Sequence, residues 1–155
     1  MVQCMISLHR ASPEDADQLT QIAIAAKRYW KYPERWMQIW LPLLVASPEY
    51  VAANETWVAV VEGKSVGYYS LKHEDHDLWL ANLWVLPDFM GPGIGKQLFQ
   101  HVLERSRARG IPILKIESDP NVQSFYEKMG ARKVAEQHSM VDDQPRVLPV
   151  MEMTL

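Results

Sequence analysis

Leu19, Ile22, Ala23, Ala26 and Trp30 recur at three- and four-residue intervals, the period of one helical face. Ser12-Pro13-Glu14-Asp15 precedes them and reads as a helix start. Ser12 can cap, Pro13 suits the first helical position, and two acids suit the positive end of the dipole. Residues 5–8, a short apolar run, predict a first or edge strand. Pro33 opens a second helical stretch carrying Trp36, Ile39 and Trp40, ended or kinked at Pro42. Ser47-Pro48-Glu49 is a further capped start of one or two turns. From Thr56 the texture becomes β-rich. Residues 57–61 and 65–71 flank the turn Glu62-Gly63-Lys64 as a hairpin, residues 73–77 read as a polar loop, and residues 78–86 form a third strand. Ile94, Leu98, Phe99, Val102 and Leu103 then give a helical stripe closed by Gly110. Residues 113–116 are a short strand, Asp119-Pro120 starts a helix ending near Gly130, and residues 132–141 and 146–155 are two last strands. No repeat, linker or low-complexity tract interrupts this order. One domain spanning residues 1–155 is expected.

Length agrees, because 155 residues suffice for one domain with a sizeable core. With 48% hydrophobic and 23% charged residues, the chain has the composition of an ordinary globular protein. Asp plus Glu number 19 against 16 Lys plus Arg, a net charge of -3 that argues against a dedicated nucleic-acid partner. The single cysteine, Cys4, cannot form an internal disulfide or a Cys-rich zinc site. No apolar run approaches the roughly 20 residues of a membrane helix, and the N-terminus lacks the basic-then-apolar layout of a signal peptide. No membrane partner and a cytoplasmic location are therefore expected. Six Trp against three Phe leave an excess of rings that must pack or line something.

The most informative stretch runs from Leu83-Trp84-Val85-Leu86-Pro87 to Met90-Gly91-Pro92-Gly93-Ile94-Gly95-Lys96. A strand ends, glycines allow close backbone approach, and a helix begins with free N–H groups, which suits a phosphate or pyrophosphate. Spacing excludes two familiar loops. A Walker A loop needs Gly and Ser or Thr where Met90 and Gln97 stand, and a dinucleotide fingerprint needs Gly at Lys96. The plain alternative is a helix start without a ligand.

The stretch resembles the acyl-CoA loop of the GNAT superfamily of N-acetyltransferases, Arg/Gln-x-x-Gly-x-Gly/Ala after a strand ending in Val-x-Pro. Gly93 and Gly95 take the two glycine positions, and Val85 and Pro87 the strand end. Met90 departs from the Arg or Gln. That residue contributes mainly a backbone N–H in the family, and Lys96 can supply charge instead. A second segment, from Asp119-Pro120-Asn121 through Phe125-Tyr126 to Gly130-Ala131, resembles the family's other CoA-contacting helix. Element order matches along the whole chain, but only residues 83–131 carry motif residues. The resemblance implies a mixed α+β fold of GNAT type: a mostly antiparallel twisted sheet of six or seven strands, flanked by about four helices.

It also implies acetyl-CoA as co-substrate. Backbone from Met90 through Gly91, Gly93, Ile94, Gly95 and Lys96 would hold the pyrophosphate. Backbone of Leu83, Trp84 and Val85 would pair with the pantetheine arm, where an N–H can also face the thioester carbonyl. Asn121 would bond the arm, and Tyr126 would be the general acid for the departing thiolate. The alternatives are a cap-region Asn and a core Tyr with its hydroxyl satisfied by backbone. Many family members place a basic Glu where this chain has Ala81. Candidates for its role are Glu74, Asp75, His76, Asp77 and Glu117, or a chain of waters; the first four also read as a solvated turn. No metal site is expected, since adjacent turn residues rarely converge on one ion.

The acceptor region implied by the resemblance is rich in rings. Tyr29, Trp30, Tyr32 and Trp79 are assigned to acceptor binding, whereas Trp36 and Trp40 share a helical face and read as core. Such π faces would suit an aromatic or cationic amine, and the turn at residues 141–146 could close over it. The expected function is transfer of acetyl from acetyl-CoA to a primary amine of a small molecule, by direct attack in a ternary complex. Two alternatives stand beside it: a non-catalytic acyl-CoA sensor, and an acetyltransferase of protein N-termini or lysines. A two-fold homodimer is expected on general grounds only.

Overall fold

The computed structural model describes residues 5–155, so Cys4 lies outside the described residues. Strand β1 (Ser7–Arg10) leads through a short 3-10 turn into α1 (Ala16–Arg28), α2 (Glu34–Trp40) and α3 (Pro48–Ala53). Then follow β2 (Glu55–Val61), β3 (Lys64–Glu74), β4 (Asp77–Val85), α4 (Ile94–Ala108), β5 (Ile113–Glu117), α5 (Gln123–Lys128), β6 (Arg132–Val141) and β7 (Gln144–Thr154). The seven strands form one sheet in the order β1-β2-β3-β4-β5-β7-β6. Only β4 and β5 run parallel; every other neighbouring pair is antiparallel.

Local chemistry accounts for most boundaries. The Asp15 carboxylate accepts the Ser12 N–H at 2.9 Å ahead of α1, and Ser47 Oγ accepts the Tyr50 N–H at 3.0 Å to start α3. Pro42 ends α2 in a 3-10 turn, Leu41–Leu44. All three hairpins close with two residues at positive φ: Glu62-Gly63, Asp75-His76 and Asp142-Asp143. That geometry matches the twist of the strands it joins, and Asp tolerates it better than most side chains. Residues 73–77 therefore make a tight hairpin rather than the polar loop the sequence suggests. The first strand likewise sits later than expected, at Ser7–Arg10.

Helices cover both sheet faces. On one, Leu98, Phe99, Val102 and Leu103 of α4 pack with Leu71, Leu78, Leu80, Leu114 and Ile116 to form the main core. On the other, Leu19, Ile22 and Ala23 of α1 pack on Val58 and Tyr68. Each such aliphatic side chain contributes about 2 kcal/mol by leaving water. A smaller cluster joins Met37 and Trp40 of α2 to Val141 at the β6–β7 tip, beside an exposed Arg35–Asp142 ion pair of 2.8 Å.

Two irregularities open the middle of the sheet. Ser70 pairs with Asn82 and Leu71 with Leu80, so Ala81 is an unpaired bulge residue in β4. Strands β4 and β5 share only the rungs Leu78–Leu114, Trp79–Lys115 and Leu80–Ile116 before parting. Beyond Glu117, Ser118 N–H bonds Pro149 O at 2.9 Å, and Pro120 turns the chain away from β4.

The far end of α4 is tied to the sheet by charge. Glu55, buried at the start of β2, accepts hydrogen bonds from Arg105 of α4, from Arg109 just past its end, and from Trp57 Nε1. Burial alone would raise its carboxyl pKa, but these three donors outweigh it and hold it at about 2. Between pH 4.5 and 2 the unfolded chain binds a proton there that the folded chain does not, so stability falls on acidification through that window. Glu55→Gln should cost about 1–3 kcal/mol at pH 7. Urea unfolding at pH 7 and pH 3 should show the gap to wild type shrinking at the lower pH.

Candidate active site

The loop after β4 is shaped by two glycines. Gly91 and Gly93 have φ of 101° and 89°, left-handed values that side chains with a Cβ adopt at a cost. Gly93 caps α4, and the first helical bond inside it is Gln97 N–H to Gly93 O at 3.0 Å. The N–H groups of Ile94, Gly95 and Lys96 therefore have no partner within the helix and present its positive end. Lys96 adds a side-chain cation with no ion-pair partner among the described residues.

This loop borders a cavity of about 590 Å³ in the parting of β4 from β5. Leu83, Trp84 and Val85 form one wall; Met90, Gly91, Gly93, Gly95 and Lys96 form one end. Val122, Phe125, Tyr126 and Met129 form the opposite wall, and Ala26 and Trp30 close the side toward α1. An apolar channel with free N–H groups and a cation at one end suits a long ligand with an anionic group there. Nine of the eleven residues assigned to acyl-CoA thus share one wall system. Ile94 is fully buried and can offer only backbone. Asn121 is not on the wall, because its amide donates to Asp119 Oδ1 and to the Tyr32 hydroxyl, each at 2.8 Å.

Tyr126 is 6% exposed and packs edge-on against Phe99 and Phe125. Its hydroxyl makes no hydrogen bond among the described residues, yet among those residues no fully buried side-chain polar atom lacks a partner. The oxygen must therefore reach open space, which the cavity provides. Burial, and then the Asp119 charge, raises its pKa well above the ordinary phenol value, so it stays protonated.

Asp119 lines the same cavity and is the hub of its surroundings. Its carboxylate receives Lys27 Nζ at 2.9 Å, the Tyr32 hydroxyl at 2.8 Å, Arg146 Nη2 at 3.2 Å and the Asn121 N–H at 2.8 Å. Burial would raise its pKa, but Lys27 and the Asn121 N–H hold it below the usual carboxylate value. Lys27 is itself depressed, because desolvation outweighs the attraction of Asp119. Sequence reasoning read Asp119 only as a helix start and missed Lys27 and Arg146. Their partners lie 92 and 27 residues away in the chain. One signal was present: Lys27 follows Ala26 directly, at the edge of an otherwise apolar helix face.

A second cavity, of about 480 Å³, is lined by Glu74, Asp75, Asp77 and Glu117 together with Ala81 and Trp79. Four of the five candidate bases are thus brought together, while His76 stays on the hairpin turn. Asp77 pairs with Lys115 at 3.1 Å, and Glu74 lies 4.0 Å from Lys72. Glu117 has no ion-pair partner among the described residues, and it comes one step after the last β4–β5 rung, level with Ala81. The acceptor rings separate. Trp30 lines the first cavity and Trp79 the second, Tyr29 is 47% exposed against Trp30, and Tyr32 joins the Asp119 cluster.

Known proteins agree with this architecture. The sequence model of the Acetyltransferase (GNAT) family matches residues 17–131. The Salmonella typhimurium protein called Peptidyl-lysine N-acetyltransferase YjaB is 34% identical over 106 residues, 68% of each chain. A GCN5-related N-acetyltransferase structure from Rhodopseudomonas palustris superposes with a TM-score of 0.84 at 25% identity, covering 100% of this chain and 99% of that one. PaiA N-acetyltransferase from Thermoplasma acidophilum, solved with coenzyme A, shares the fold with a TM-score of 0.76 at 19% identity, covering 97% and 99%. A parted sheet with a glycine-capped helix beside it defines an acyltransferase scaffold. The chain belongs to the GNAT family and is an N-acetyltransferase of it.

Gly93→Ala should strain the loop by about 1 kcal/mol without touching the walls, since apart from its chain neighbours nothing lies within 4 Å of the Cβ it would gain. Calorimetric titration should show weakened binding of CoA with little change in melting temperature.

Proposed function

We propose that the enzyme transfers acetyl from acetyl-CoA to a primary amine of a small molecule, by direct attack while both are bound. The observation that carries this reading is the pair of cavities flanking the parted strands. Leu83 lines one and Ala81 the other on β4, while Glu117 at the end of β5 lines the second and Asp119, two residues beyond it, lines the first. A thioester in the first and an amine in the second would meet at the bulge. No covalent stop on the chain is then needed.

Within this arrangement the first-turn N–H groups of α4 and Lys96 bind the pyrophosphate, and the β4 edge at Leu83–Val85 orients the arm. Glu117 takes the position level with Ala81 and accepts the proton that the ammonium must lose. The amine then bonds to the carbonyl carbon, and the carbon–sulfur bond breaks. Tyr126 gives its proton to the departing sulfur, and the second proton lost by the amide nitrogen restores the phenol, so that CoA leaves as the thiol. The raised pKa of Tyr126 keeps the phenol protonated until the thiolate forms.

A second reading is favoured by one finding, the name of the Salmonella relative: the acceptor is a lysine of a protein. An acceptor panel containing small amines and a lysine peptide separates the two, and a non-catalytic sensor would acetylate none. CoA and acetyl-CoA should bind where ATP and NAD do not. Tyr126→Phe and Glu117→Gln should each lower kcat by about 100-fold with acetyl-CoA affinity nearly unchanged. Retention of full kcat in both variants would remove them from the chemistry.

A further inference from the structure

The walls of the first cavity carry few charges. Of the residues that line it, only Lys96, Asp119 and Lys128 are ionic. The Asp119 carboxylate is filled by its four donors, which leaves the two cations. Lys96 stands in the first turn of α4 and Lys128 in the last turn of α5. Both are exposed, and neither makes an ion pair or hydrogen bond among the described residues.

The two helices meet at this end of the cavity. The Phe125 ring lies 3.6 Å from where a Cβ on Gly95 would stand, so α5 rests against the first turn of α4. Lys128 follows Phe125 by three residues and shares its side of α5, while Lys96 follows Gly95 directly. The two ammonium groups therefore rim one end of the cavity from different helices. Lys128 has no work in holding its own helix. The carbonyls of Phe125, Tyr126 and Glu127 accept the N–H groups of Met129, Ala131 and Gly130 at 3.2, 3.0 and 3.0 Å. Gly130, at φ 107°, closes the turn. A lysine on a cavity wall that neither pairs nor caps is free for a ligand.

CoA is anionic in two places. Its pyrophosphate joins the pantetheine arm directly. Its 3′-phosphate hangs from the ribose beyond, a monoester carrying about two negative charges at neutral pH. The first-turn N–H groups of α4 and Lys96 suit the first of these and leave the second without a counter-ion. We propose that Lys128 receives the ribose 3′-phosphate, so that the enzyme distinguishes CoA from dephospho-CoA, which lacks only that group. An ammonium on a flexible four-carbon stem is a mobile point charge, suited to a phosphate at the rim of a site where no fixed fork is required. The assignment rests on acetyl-CoA as the co-substrate of the function proposed above.

The test is calorimetric titration of wild-type, Lys96→Gln and Lys128→Gln enzyme with CoA and with dephospho-CoA at low ionic strength; far-UV circular dichroism of each variant reports folding. Wild type should bind CoA at least about fivefold more tightly than dephospho-CoA. Lys128→Gln should bring that ratio close to one by weakening CoA alone, and Lys128→Arg should restore most of it. Lys96→Gln should weaken both ligands by the same factor and keep the ratio. Added salt should erode the wild-type ratio and leave that of Lys128→Gln flat. Equal binding of the two ligands by wild type overturns the proposal. So does a Lys128→Gln loss shared equally by both, which would assign Lys128 to the pyrophosphate. Either outcome leaves acetyl-CoA standing as co-substrate, whereas a wild-type enzyme that binds neither ligand removes the co-substrate and this assignment together.

Discussion

Two parallel strands that cannot stay together organise this protein. Strands β4 and β5 share three rungs; then a bulge at Ala81 bends one, and Pro120 carries the other away. The backbone groups exposed by that parting must find partners elsewhere. Those of β5 turn to β7, as the Ser118–Pro149 bond shows, while those of β4 at Leu83–Val85 face a cavity. In the function proposed above, ligand recognition begins as an unsatisfied strand edge. The helix that follows β4 starts at the same end of the gap, so its unpaired N–H groups and the free strand edge border one elongated cavity.

Electrostatics then sort the two sides. The α4 end offers positive dipole and Lys96. At the centre, a single carboxylate, Asp119, gathers Lys27 and Tyr32 from the end of α1 and the loop after it, Arg146 from β7, and Asn121 from its own turn. Far from the site, Glu55 anchors α4 by its C-terminal arginines, so the loop at the other end of that helix is held against a fixed frame.

Much of this was legible in the sequence, for identifiable reasons. The loop at Gly91–Gly95 and the helix around Tyr126 are local: glycine, proline and aromatic spacings within a dozen residues dictate them. The hairpins and helical stripes are likewise short-range. The tight turn at Asp75-His76 escaped notice because neither residue advertises positive φ as glycine does. The bonding of Asn121 was not legible because its partner, Tyr32, lies 89 residues away in the chain. Lys27 and Arg146 escaped for the same reason. A charge on an apolar helix edge looks like a solvated side chain until the fold brings it a counter-ion.

The bulge has a further consequence, for how such a protein can change over time. Ala81 has no ladder partner and is exposed, while Leu80 and Leu83 on either side keep their places in the main core. A substitution at that position disturbs neither pairing nor packing. The backbone has in effect set aside one slot, on the wall of the second cavity, where side chains can be exchanged without taxing the fold. Reactivity and foldability are uncoupled there, and a scaffold with such a slot can lose one proton acceptor and recruit another from a neighbouring strand while its architecture stays the same.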